Sequence, residues 1–209
     1  MKRLTILAAL CGIFFSDAAM ALECKAPTEP YTPVWKVGDK WEYKGADSKD
    51  TVREVKEVTA DGYVFESKEK GNLIKVWTSK QLNFIRSEVE GVKVKWEPHS
   101  ADFPTVPFAV GVRENLTASK HIKYILQQEQ QLWSATMRFA IKEFKEVQTP
   151  AGAFCAFRIE RRAQETGRSV RTNIWFAPDV GNIVLLEVSR NKQMVPVMTL
   201  QSFRSGKQK

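Results

Sequence analysis

From residue 34 onward, apolar and polar side chains alternate with a period of two. Val92, Val94 and Trp96 alternate with Lys93 and Lys95. Trp133, Ala135, Met137, Phe139 and Ile141 alternate with Ser134, Thr136, Arg138 and Lys142. Val170, Thr172, Ile174 and Phe176 form a third face of this kind, and the run from Ile183 to Val188 is largely apolar. Alternation over segments this short predicts half-buried strands rather than helices. Phe144 falls one position out of step, so the phase slip at Lys142-Glu143 predicts a bulge in a long strand. Asp61-Gly62, Gly71-Asn72, Glu90-Gly91, Ala151-Gly152, Thr166-Gly167 and Gly181-Asn182 separate the apolar runs and read as tight connections. Roughly ten to twelve strands are expected. The predicted fold is all-β: a strongly curved antiparallel sheet, as a half-barrel or sandwich, with at most one or two short helices. Residues 112–131 leave two readings open. Ile122, Tyr124 and Leu126 alternate, whereas the Gln-rich stretch 127–131 suits a short helix.

The N-terminus has a different pattern. Met1-Lys2-Arg3 is a short basic segment, Leu4 to Phe15 is apolar, and Ala19-Met20-Ala21 is a small-x-small cleavage box. Together these predict a cleavable signal peptide over 1–21 and a periplasmic protein that starts at Leu22. Residues 22–33, with Pro27, Pro30 and Pro33, read as an extended leader, and 34–209 as a single β domain. No later segment is long and apolar enough for a spanning helix, so no transmembrane anchor is expected. Export removes Cys11 and leaves Cys24 and Cys155 as the remaining pair in an oxidising compartment. That parity favours a Cys24–Cys155 disulfide; the alternative is a buried Cys155 with Cys24 free on the leader.

Composition narrows the chemistry. With 43% hydrophobic and 27% charged residues, the chain is neither disordered nor collagen-like. Three cysteines and two histidines are too few for a zinc ribbon or a histidine-built centre, so neither metal nor cofactor is expected. There is no nucleophile elbow, His-Glu-x-x-His segment, phosphate-binding loop or dinucleotide fingerprint. His99, Ser100 and Asp102 are neighbours in sequence, and adjacent side chains point apart, so they do not make a relay. His121 sits out of phase with Ile122 and Tyr124, as an outward residue would. No catalytic residue is assigned, and an enzyme is the least favoured class.

Three short motifs occur in order: Val37-Gly38-Asp39-Lys40-Trp41-Glu42-Tyr43, then Pro150-Ala151-Gly152-Ala153-Phe154, then Trp175-Phe176-Ala177-Pro178-Asp179-Val180-Gly181. In this they resemble uncharacterised exported β-rich proteins of proteobacteria, which are similar to the LolA and LolB lipoprotein-carrier superfamily. The resemblance spans about residues 33–190 and implies a curved antiparallel sheet with an apolar inner face. It transfers no catalytic residue. In physical terms, Gly38 and Gly152 suit positive φ or close backbone approach, and Trp41, Tyr43, Phe154 and Phe176 suit core anchors.

Charge supplies the remaining signal. The chain carries a formal net charge of +8, and Arg158, Arg161, Arg162, Arg168 and Arg171 cluster around one predicted hairpin. Cys155, Phe157 and Ile159 share a face, which sends Arg158 and Arg162 to the other side, with Arg171 on the return strand. These three are the candidate anion-binding residues, able to hold phosphate or carboxylate. Nucleic acid is not an expected partner outside the cytoplasm. Lipid, another anionic envelope component or an envelope protein fits better. The expected function is a periplasmic, non-enzymatic binding protein that holds an acyl-like or anionic ligand in its curved sheet. The alternative is a protein-interaction accessory factor for an envelope complex.

Overall fold

The computed structural model describes residues 22–27, 31, 33–46, 50–69, 71–80, 82, 84–89, 92–96, 116–126, 129–165 and 168–206. Among these there are twelve strands and no helix. They are β1 (Lys40–Gly45), β2 (Asp50–Val58), β3 (Gly62–Glu69), β4 (Asn72–Ser79), β5 (Phe84–Val89) and β6 (Val92–Trp96), followed by β7 (Leu116–Leu126), β8 (Glu129–Thr149), β9 (Gly152–Glu165), β10 (Arg168–Ala177), β11 (Asn182–Arg190) and β12 (Gln193–Arg204). Each strand pairs antiparallel with the next, and β12 pairs with β1. The curvature therefore carries right round into a closed barrel. The all-β antiparallel expectation holds. The strand alternative is also the one found at β7 and the start of β8, where Leu116–Leu126 pairs in register with Glu129–Phe139.

Register shows which side chains share a face. Tyr43 pairs with Leu200 and Val55 with Phe65, which in turn pairs with Val76. Ile159 pairs with Ile141 and Ile174, and Ile174 with Leu186. Tyr43, Val55 and Leu200 are fully buried in one core cluster that also holds Ala156 and Trp175, whereas Ile159 is buried in a second cluster with Phe157 and Phe176. Lys40, Glu42, Lys44, Glu54, Glu66 and Lys75 alternate with the first cluster and face outward. The slip expected at Lys142-Glu143 is a register shift between Ile141 and Glu143, which puts Phe144 back in line with Phe157. One turn depends on the absence of a side chain. A Cβ on Gly62 would lie 1.7 Å from the Thr78 carbonyl oxygen.

The leader crosses one end of this barrel. Cys24 is joined to Cys155, and the Leu22 amide donates to the Glu146 carboxylate. Further along, the Tyr31 hydroxyl donates to the Pro178 carbonyl (3.0 Å), and its ring meets Phe176 at 5.9 Å. Pro33 and Trp35 are buried, and the Trp35 ring packs against Trp41, Tyr63 and Phe65 at 5.0, 5.3 and 5.7 Å. Trp35, just past the leader, thus plugs this end of the core, while Leu22, Glu23, Lys25 and Ala26 of the leader stay exposed.

The three motifs meet at this same end. Trp35 and Trp41 donate their indole N–H groups to the carbonyls of Gly181 and Val180, at 2.8 and 3.2 Å. Asp39 accepts from the Lys36 and Gly206 amides at 2.7 and 2.6 Å, tying the first turn to the end of β12. Gly38 and Gly152 have φ of 86° and 130°, as their turn positions required. Phe154 stacks edge-on against Phe203 at 5.9 Å. The motifs are therefore structural.

Candidate functional site

Where β8 to β11 run side by side, the positions on the face opposite Phe157 and Ile159 form three rungs, exposed at Arg138, Arg162 and Arg171 and buried at Glu160, Asn173 and Trp175. Nearest the β9–β10 connection, Arg138 pairs with Arg162, and Arg162 with Arg171. One step down, Ala140 pairs with Glu160, Glu160 with Asn173, and Asn173 with Glu187. The third rung is Glu143, Arg158, Trp175 and Leu185. The face therefore grades from basic to acidic to mixed apolar. Its reverse is apolar: Phe157, Ile159 and Phe176 are buried there, with Phe139, Ile141, Phe144 and Ile174 packed around them. Period-two alternation produces this contrast directly.

Glu160 organises the basic rung. Its side chain is only 6% exposed, and it binds Arg162 Nε through Oε1 at 2.8 Å and Arg171 Nε through Oε2 at 2.9 Å. Burial pushes the Glu160 carboxyl up, but the Arg162 hydrogen bond and the charges of Arg162, Arg171 and Lys142 outweigh it and hold the group below the usual carboxylate range. The two arginine side chains nevertheless stay 63% and 46% exposed. Arg138 is exposed and has no ion-pair partner among the described residues. On the third rung Arg158 Nε binds Glu143 at 2.5 Å and lies 5.9 Å from the Trp175 ring centroid. Glu187 accepts from Trp175 Nε1 at 2.9 Å and Asn173 Nδ2 at 3.1 Å.

All three sequence-derived arginines do leave on the face opposite Phe157 and Ile159. Arg162 and Arg171 are brought together on one carboxylate, while Arg158 sits two rungs away on another. Two contributors escaped the sequence reading: Arg138, and Glu160 as a buried anchor. The alternation itself put Arg138 among the outward positions, but only strand register reveals that it is beside Arg162. His99, Ser100 and Asp102 lie outside the described residues, as do 1–21.

The bore holds a second polar feature. The hydroxyl of Tyr43 and Nε of Arg53 are buried, and neither has a hydrogen-bond partner among the described residues. They are diagonal neighbours on the inner faces of β1 and β2, and the Arg53 guanidinium lies 5.4 Å from the Tyr43 ring centroid. Burial drives the Tyr43 phenol well above its ordinary range, although Arg53 pulls it the other way. At the plugged end, a cavity of about 160 Å³ opens between the leader, the 178–181 turn and residues 203–205. No cluster of metal-ligating side chains occurs among the described residues.

The barrel is similar to several solved structures. The hypothetical lipoprotein YmcC of Escherichia coli K12 is 8% identical, with a TM-score of 0.54 over 87% of this chain and 90% of its own. A proposed lipoprotein of Parabacteroides distasonis is 13% identical, with a TM-score of 0.46 over 85% of this chain and all of its own. A proposed exported protein of Bacteroides fragilis, described as YmcC-like in fold, is 14% identical, with a TM-score of 0.40 over 84% and 100%. At such identities only the YmcC match carries weight, and it shows a shared fold. No protein-family model matches the chain, and no curated protein matches it.

Proposed function

We propose that this chain is a non-enzymatic binding protein of the cell envelope that holds an apolar, acyl-like ligand within its ring of strands. The observation that carries this reading is the combination of a closed twelve-stranded ring with Trp35 covering one end. Side chains fill the bore of an eight-stranded barrel, and wider rings have room to enclose a ligand. The Tyr43 hydroxyl and Arg53 Nε, without a hydrogen-bond partner among the described residues, offer donors on the inner wall for a ligand's polar group. Likeness in fold to a lipoprotein, together with the expected signal peptide, supports an envelope location.

A second reading, a protein-interaction accessory factor, is favoured by one observation. At the plugged end the core is filled by the protein's own aromatic side chains, Trp35, Trp41, Tyr43, Tyr63 and Phe65. Native mass spectrometry of protein purified from the periplasm separates the two. A lipid-sized adduct that organic extraction removes and added lipid restores is the outcome expected for a carrier. A clean mass that takes up no lipid overturns that reading, and a stoichiometric protein partner then supports the accessory factor.

A further inference from the structure

Three arginines in adjacent register are an unusual use of a sheet surface. Like charges directly opposite one another across strands are destabilising, and Arg138, Arg162 and Arg171 stand opposite in a row over three strands. A single buried carboxylate, Glu160, holds two of them, and the third has no ion-pair partner among the described residues. With the row counted, this face carries five basic side chains, Arg138, Arg158, Arg162, Arg171 and Lys145, against three acidic ones, Glu143, Glu160 and Glu187. If the row only stabilised the fold, one arginine on Glu160 would suffice.

We propose that the Arg138–Arg162–Arg171 rung is a phosphate-binding edge that docks the barrel on an anionic membrane surface through lipid headgroups. Neighbouring strands lie about 4.8 Å apart, so adjacent guanidiniums can share the oxygens of one phosphate group, and three can engage two headgroups side by side. Glu160 aligns Arg162 and Arg171 through Nε while close to half or more of each side chain stays open to solvent. Arginine suits this role because its planar fork matches phosphate and it stays charged at any physiological pH. All three arginine side chains are exposed, so the site does not depend on whether the bore holds a ligand.

The test is vesicle co-sedimentation of the full mature chain, on pure phosphatidylcholine and on phosphatidylcholine with added phosphatidylglycerol. Wild-type protein binds only the anionic vesicles, and binding fades as salt rises above physiological strength. Arg138→Gln weakens binding about fivefold, as expected for one cationic side chain near an anionic surface. It leaves the melting temperature unchanged or raises it, because it removes like-charge repulsion from a residue with no ion-pair partner among the described residues. The Arg138→Gln/Arg162→Gln/Arg171→Gln variant abolishes binding, whereas Arg86→Gln, away from the rung, does not change it. Arg138→Gln that binds like wild type, or wild type that binds neutral vesicles equally well, overturns the proposal. So does saturable stabilisation by inorganic phosphate without vesicle binding, which would make free phosphate the ligand. If the triple variant fails to fold, the single Arg138→Gln variant decides.

Discussion

Glu160 shows how one side chain can hold a charged surface together. Its carboxyl titrates below the ordinary range because Arg162 and Arg171 favour the ionised form more than burial opposes it. A depressed folded value means that the group contributes stability above its unfolded value near 4.3, and loses it as pH falls through the folded one. Replacing Glu160 with Gln is therefore expected to cost roughly 1–2 kcal/mol at neutral pH, since the arginines it spaces are half exposed and screened. Urea unfolding between about pH 3 and 7 checks this. The variant's stability should vary less with pH than wild type over the acid limb, and parallel curves would show that Glu160 does not supply the linkage.

At the scale of elements, the connection between β2 and β3 is the tightest point. Thr59 and Gly62 close it: the Gly62 amide donates to the Thr59 hydroxyl at 3.0 Å, and Thr59 N donates to the Gly62 carbonyl at 2.9 Å. The Asp61-Gly62 dipeptide marked a turn in the sequence. Its pairing with Ser79 brings the β4 backbone against the Gly62 α-carbon, and no spacing rule contains that contact. Gly62→Ala forces a Cβ into a carbonyl that cannot swing away, so about 3 kcal/mol or more of stability should be lost. Gly71→Ala is the matched control: a Cβ there meets nothing within 4 Å, and only its φ of +89° resists. Chemical denaturation of both variants tests the difference. A loss at Gly62 no larger than the one at Gly71 would show that the Thr78 carbonyl can move aside.

For the molecule as a whole, the barrel must bring distant parts of the chain together before it can close. β1 meets β12, and Cys24 meets Cys155 across a sequence separation of 131. In the chain-entropy model a loop that long is worth about 5 kcal/mol, drawn from the freedom the cross-link removes from the unfolded chain. The double variant Cys24→Ser/Cys155→Ser should lose about that much stability in equilibrium unfolding, and the plugged end should loosen first. Faster hydrogen exchange at Trp35 and in the 178–181 turn, before the β3–β4 ladder, is the pattern that checks the order of loss. Uniform exchange would mean that Trp35 plugs the barrel without help from the bridge.

Alternation, turn residues and cysteine parity carry the local half of this structure because each is a short-range property. Period two makes strands, Gly-containing dipeptides end them, and the out-of-step Phe144 marks a bulge within a few residues of its own position. The same alternation put Phe157 and Arg158 on opposite faces. Register between strands is set by packing over distances that the sequence does not order. That is why the closure of the sheet into a barrel, the plugging of one end by Trp35, and the placing of Arg138 beside Arg162 and Arg171 emerge only in three dimensions. A residue's face is fixed by its neighbours in the chain; its partners are fixed by how the whole ring closes.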